Sequence, residues 1–209
     1  MPSQRHSPAR ASRAVPHKIR IIGGQYKRTP IPVLDLPGLR PTPDRVRETL
    51  FNWLTHLWDG DYADKAVLDA FAGSGALGLE AASRGAGRVL MVESDRRAAA
   101  ALEALRARLG AAQAEVRAGD ALPMLAREPG SFDLIMLDPP FGQGWLERVL
   151  PVAMRALTDD GMLYIEAEAP LVPPEGTELL RQDRAGAVHF QLLRVDRGAG
   201  REPHPSGMV

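Results

Sequence analysis

The 209-residue chain contains no cysteine. Disulfide scaffolds, Cys-ligated zinc, iron–sulfur clusters and thiol nucleophiles are therefore excluded. Histidine is scarce: the five residues, at 6, 17, 56, 189 and 204, share no ligand spacing, so no metal is expected. No apolar run approaches the roughly 20 residues of a membrane helix, so no membrane contact is expected. Acidic residues are missing before Asp35. Residues 1–48 hold ten basic and three acidic side chains, net +7, so the other 161 residues carry −7 although the total is zero. A basic start on an acidic body suits an anionic partner such as nucleic acid. Residues 1–17, rich in Ser, Arg, Pro and Ala, read as a disordered basic tail. Such an acid-free start also resembles an organelle transit peptide, and it has no apolar secretory segment.

What is present is ordinary for one soluble domain: 44% hydrophobic and 25% charged residues. Lys18–Ile22 and Ile31–Leu34 read as a short strand pair, a basic arm that opens an N-terminal segment over 18–60. A helix is expected with Thr42 as N-cap and Pro43 at its first position, carrying Val46, Leu50, Phe51, Leu54 and Leu57 on one apolar face. Leu50, Trp53, Leu54 and Trp58 should anchor it to the core. From 61 to 196 strands and helices alternate. Strands are expected at 66–71, 88–93, 114–117, 132–137, 161–166, 178–182 and 188–195, with helices at 76–84, 95–109, 121–127 and 145–157 between them. The Gly/Pro-rich residues 197–209 read as a second tail. Alternation of this kind means a mainly parallel sheet covered on both faces, with ligands at the C-terminal strand edge.

Gly73, Gly75 and Gly78 follow a strand and open a helix, where a missing Cβ lets backbone approach a ligand. Glu93 ends the next strand, and a carboxylate there can accept both hydroxyls of a ribose. The spacing means a nucleoside cofactor, either a dinucleotide or S-adenosylmethionine. Asp69, just before the loop, would repel a pyrophosphate but accept hydrogen bonds from an amino group, which favours S-adenosylmethionine. Asp120 can take the adenine amine, cap the helix that begins at Ala121, or do both.

Asp138-Pro139-Pro140-Phe141 closes the most apolar strand. Two prolines cannot continue a ladder, so they fix a stiff turn. The Asp138 carboxylate and Pro139 carbonyl then offer two acceptors beside an aromatic ring. That set fits an exocyclic base amine, with Phe141 stacked on the base for about 1–3 kcal/mol. Trp145, after two glycines, either caps this pocket or starts a helix.

The order Asp-x-x-x-Gly-x-Gly, strand-end acid, Gly-Asp and Asp-Pro-Pro-Phe resembles class I S-adenosylmethionine-dependent amino-methyltransferases. The stretch Ile19-Arg-Ile-Ile-Gly-Gly-Gln-Tyr-Lys-Arg28 and the run from Leu39 to Leu54 narrow the resemblance to the RsmD family of bacterial small-subunit rRNA guanine-N2 methyltransferases, over about residues 18–196. The resemblance implies a Rossmann-like α/β fold whose seven-stranded, mainly parallel sheet has an antiparallel last strand, with a small N-terminal extension. It implies S-adenosyl-L-methionine held by Asp69, Phe71, Ala72, Gly73, Gly75, Glu93, Ser94, Asp120 and Ala121, and a target amine at Asp138–Phe141. It implies guanine 966 of 16S rRNA in the small ribosomal subunit as substrate. A cytoplasmic monomer is expected.

Lys18, Arg20, Lys27 and Arg28 of the arm, with Arg40, are expected to hold rRNA phosphates. Arg45 stands to meet the cofactor carboxylate, or with Arg40 and Arg47 to be solvated helix charge. Three other readings compete. A DNA adenine-N6 methyltransferase would need an extra base-recognition segment for which the core leaves no room. A dinucleotide-dependent dehydrogenase leaves Asp138–Phe141 unexplained. A silent RNA-binding module predicts loss of Asp69 or Asp138, and both are present.

Overall fold

The apolar runs pair side by side, in a computed structural model that describes residues 19–34 and 42–197. In chain order the elements are β1 (Ile19–Arg20), β2 (Pro30–Ile31), α1 (Asp44–Leu57), β3 (Ala66–Asp69), α2 (Ala76–Ser83), β4 (Arg88–Glu93) and α3 (Arg96–Leu109). They continue with β5 (Ala114–Ala118), α4 (Ala121–Leu125), β6 (Phe132–Leu137), α5 (Trp145–Ala156), β7 (Leu157–Ala167), β8 (Thr177–Ala185) and β9 (Val188–Val195). The seven-stranded sheet runs β5-β4-β3-β6-β7-β9-β8. Pairing from β5 to β7 is parallel, and β9 enters antiparallel between β7 and β8. The expected parallel sheet with an antiparallel last strand is what forms.

Buried strands alternate between two apolar cores. Val67, Met91, Leu134, Met136 and Tyr164 face α1, α2 and α3. Leu68, Leu90, Ile135, Leu137 and Ile165 face α4 and α5. Leu50 and Leu54 are fully buried, and Trp53 and Trp58 pack partly buried on the first core. Trp53 lies 5.5 Å from the Phe190 ring. Helix anchoring, as expected, is the role of this tryptophan pair.

Several boundaries move for local reasons. Helix α1 starts at Asp44 and not Pro43, with no side-chain cap. Thr42 does not cap it, because its hydroxyl is drawn to Asp138 and its carbonyl to the Arg47 guanidinium. Strand β3 ends at Asp69, where the glycine loop begins. Strand β7 starts at Leu157, directly after α5, with a register shift that absorbs the extra residues. Asp95 caps α3 through the Arg97 and Ala98 amides.

The arm is held by buried charge. β1 and β2 pair antiparallel, Ile19 opposite Ile31, and both isoleucines are buried with Ile21. Glu80 of α2 accepts the Ile22 and Gly23 amides at 2.7 and 2.8 Å. The Arg84 guanidinium reaches the same carboxylate at 2.9 Å and Arg47 at 3.7 Å. Arg47 is fully buried and also donates to the Arg20 carbonyl. It is therefore neither solvated charge nor an RNA ligand. A Cβ on Gly24, whose φ is +72°, would stand 1.8 Å from the Ser83 carbonyl oxygen, so only glycine lets the arm lie so close. No helix among the described residues is long and apolar enough to cross a membrane.

Candidate active site

Four neighbouring strands bring an acid to the C-terminal edge. Glu93 ends β4 and Asp69 ends β3. Asp138 follows β6, and Glu166 lies at the end of β7. In sheet order these strands are adjacent. Each acid also shares its strand parity with the residues facing the first core: Met91, Val67, Met136 and Tyr164. All four carboxyls therefore point to the face that α1 covers. Asp138 and Glu166 each stand one residue beyond the Leu137–Ile165 pair.

The four are engaged differently. Glu93 holds the loops: it accepts the Gly73 amide at 2.7 Å and the Asp95 amide at 2.7 Å. Asp69 accepts the Gly78 amide at 2.9 Å, tying the loop's return to the strand end. A Cβ on Gly78 would stand 2.5 Å from Met91 Cγ and 3.2 Å from the Asp69 carboxylate, which accounts for the third glycine. Among the described residues Asp138 receives only the Thr42 hydroxyl, at 3.3 Å. Glu166 receives the Tyr164 hydroxyl at 2.9 Å, and the Thr42 hydroxyl is a second hydrogen-bond neighbour.

Among the described residues none of the four is in an ion pair. Burial pushes the Asp69 carboxyl up to about 7, helped by the charges of Asp138 and Glu93 and opposed by the Gly78 amide. Burial pushes Asp138 up to about 6, against the Thr42 hydrogen bond. Glu166 rises to about 8 through burial and then the Asp138 charge. Such a row is short of positive charge. A ligand bearing an ammonium and a sulfonium supplies it, and S-adenosylmethionine fits where a pyrophosphate would be repelled. Among the described residues no group of three or more acidic or histidine side chains has the makings of a metal site.

The other expected residues lie around this row. Gly75, at φ +80°, is the uncapped N-terminus of α2. Phe71 meets Trp145 edge-on with ring centres 5.6 Å apart. Trp145 thus both starts α5 and braces the glycine loop at Phe71. Ala72 and Ala121 are buried, and Ser94 turns its hydroxyl to Glu93. Asp120 caps α4 through the Leu122 amide at 2.9 Å. Pro139 is buried, and Phe141 is 37% exposed, free to meet a flat partner. Arg45 is exposed with no carboxylate partner among the described residues. Arg20, Lys27 and Arg28 are exposed along the arm, whereas Lys18 and Arg40 lie outside the described residues.

Sequence reasoning missed Glu166, Tyr164 and Thr42. The signal was available for Glu166: an acid closing an otherwise apolar strand, the same position that singled out Asp69 and Glu93.

The chain is similar to known proteins along almost its whole described length. The family model "Conserved hypothetical protein 95" matches residues 19–194. "Ribosomal RNA small subunit methyltransferase D" of Escherichia coli (strain K12) is 42% identical over 183 residues, covering 85% of this chain and 90% of that protein. The protein of the same name from Haemophilus influenzae is 38% identical over 186 residues, covering 85% and 94%. The solved structure titled "Putative methyltransferase yhhF from Escherichia coli" superposes with a TM-score of 0.75 at 41% identity, covering 86% of this chain and 98% of that one.

Proposed function

The chain belongs to the family of the ribosomal RNA small subunit methyltransferase D proteins, and from that premise we propose that it methylates the exocyclic N2 of a guanine, position 966 of 16S rRNA. It is a methyltransferase of small-subunit rRNA, and its cofactor is S-adenosyl-L-methionine. The finer reading rests on one observation: Asp138-Pro139-Pro140-Phe141 leaves β6 at the row of uncompensated carboxyls, with Phe141 exposed beside them.

The row would hold the cofactor with Asp69 toward the amino group, Glu93 toward the ribose hydroxyls and Asp120 toward the adenine amine. The cofactor supplies an electrophilic methyl group on sulfur. The chain supplies the rest. Phe141 stacks on the guanine, which is extruded from its own stack to reach the site. Asp138 and the Pro139 carbonyl accept the two N2 protons, so the nitrogen lone pair leaves conjugation with the ring. As the new nitrogen–carbon bond forms, nitrogen sheds one proton, and Asp138 is the acceptor placed to take it. Arg20, Lys27 and Arg28 hold the phosphates that bring the RNA to this edge. The substrate is rRNA within the small subunit, and the chain works as a cytoplasmic monomer.

The test uses tritiated S-adenosylmethionine with small subunits from a strain lacking this gene, with naked 16S rRNA and DNA in parallel. Label in N2-methylguanosine at position 966 is the expected result. Label at another rRNA position would correct the target, and label in DNA adenine would overturn the reading.

A further inference from the structure

Behind the carboxyl row, at the same sheet edge but on the opposite face, lies a pocket that the methyl-transfer reading does not use. Glu166 of β7 pairs with Phe190 of β9, and Ala167 with His189. His189 and Gln191 share strand parity with Leu193 and Val195, which belong to the core under α4 and α5. The cross-strand pairs Gln182–Gln191 and Arg184–His189 put four polar side chains on that face. With Pro170 and Leu171, from the segment after β7, they line a pocket of about 360 Å³, within the size range of ligand pockets. Gln191 is 6% exposed, and its Oε1 has no hydrogen-bond partner among the described residues. Buried acceptors are almost always satisfied, so this one calls for an N–H donor. Its Nε2 donates to the Leu171 carbonyl over a long 3.2 Å. A turn about the soft terminal torsion of the side chain then presents Oε1 to the pocket.

We propose that this pocket receives an unstacked RNA base that flanks the target guanine, resting on the reading above for the identity of that target. Two carboxamides, an imidazole and a guanidinium offer donors and acceptors together, the set that reads the edge of a single-stranded base. Arg184 donates its Nε to the Gly186 carbonyl at 2.7 Å, which holds the guanidinium in place. Asp183 also lines the pocket, and its carboxylate takes the Arg184 amide at 2.7 Å. One cation and one anion balance, which suits an uncharged base better than a phosphate. An edge N–H of the base meets Gln191 Oε1, and Pro170 and Leu171 give its face an apolar surface. The position fits a neighbour of the target. In sheet order β9 is two strands from β6, about 10 Å at the usual strand spacing. A stacked nucleic-acid strand advances about 3.4 Å per base, so the pocket is about three bases from Asp138.

The test uses small subunits whose 16S rRNA carries single base substitutions on either side of the guanine that the wild-type enzyme labels. The flanking positions are counted from wherever N2-methylguanosine appears, so a target other than 966 leaves the test intact. At one position within about three bases, wild-type kcat/KM should fall about tenfold, the low end of the cost of one mismatched base. Gln191→Leu and Arg184→Ala should raise KM for the unsubstituted subunit about tenfold, with kcat and S-adenosylmethionine affinity unchanged. In both variants the flanking substitution should then cost nothing further. A purely structural Gln191 would instead lower activity by the same factor on every subunit. That outcome overturns the proposal, and so does a wild type indifferent to all flanking bases. If Gln191→Leu does not fold, Arg184→Ala, at an exposed position, decides alone. Equilibrium binding of the four nucleoside monophosphates separates the sources of the base. Weak binding is expected, whereas a tight complex lost in Gln191→Leu would make this a site for a free nucleotide and overturn the proposal. A wild type that labels no rRNA guanine sinks the target reading itself, an outcome distinct from labelling without base preference.

Discussion

Two groups of acids on the same face of the sheet show opposite designs. Glu80 is fully buried and its charge is matched: it accepts two amides of the arm and faces the guanidinium groups of Arg47 and Arg84. Asp69 and Glu166 are also buried and Asp138 is half-buried, but among the described residues they have only amides and hydroxyls for company. The first arrangement is complete and holds the arm. The second is incomplete, its carboxyls are pushed up, and a cationic ligand would complete it. A buried acid with its counter-charge is architecture; one without it is a site.

The strongest way to break the contrast is at its reactive end. Asp138→Ala should lower methyl transfer by about a thousandfold, within the range for a lost acid–base group. Calorimetric affinity for S-adenosylmethionine should stay near that of wild type. Breaking the other side should cost stability: Glu80→Ala strips two arm amides of their acceptor and the buried Arg47 of one of its two carboxylates, Asp44 at 2.6 Å being the other, at about 3–5 kcal/mol in urea unfolding. The arm should then release, read as loss of amide protection at Ile22 and Gly23.

A pH series sharpens the contrast. A carboxyl whose folded pKa lies above its unfolded value stabilises the protein fully only while protonated in both states. The penalty grows as pH rises above the unfolded value of about 4 and levels off at the folded value, about 7 for Asp69 and about 8 for Glu166. The ligand-free Tm of wild type should therefore fall relative to that of Asp69→Asn or Glu166→Gln between pH 5 and 8. No such pH-dependent gap at either variant would contradict the uncompensated row. The smallest effect is on the arm's outer face. Charge reversal of Lys27 and Arg28 should leave Tm unchanged and flatten the salt dependence of RNA binding by nearly two log units per log unit of salt.

The run of strands and helices along the chain and the main motifs were readable because they are local. Apolar runs, the glycine spacing and Asp138-Pro-Pro-Phe each lie within ten residues. What escaped depends on distance in sequence. Thr42 looks like a helix cap until Asp138, 96 residues on, competes for its hydroxyl. Arg47 reads as surface charge until Glu80 is placed beneath it. Glu166 was visible as a strand-end acid, yet only the sheet order makes it the neighbour of Asp138. The arm's basic character was legible in the sequence, and its hold on the protein was not.

Arm and glycine loop share one piece of hardware, since the helix whose middle clamps the arm at Glu80 begins at Gly75 of the loop. The span from the arm's cations to the carboxyl row is therefore preset. If those cations grip RNA phosphates, the protein behaves as a caliper: it admits a guanine only when the surrounding RNA fold sets it at the right separation from the gripped backbone. A target could then be chosen by distance before any base edge is read.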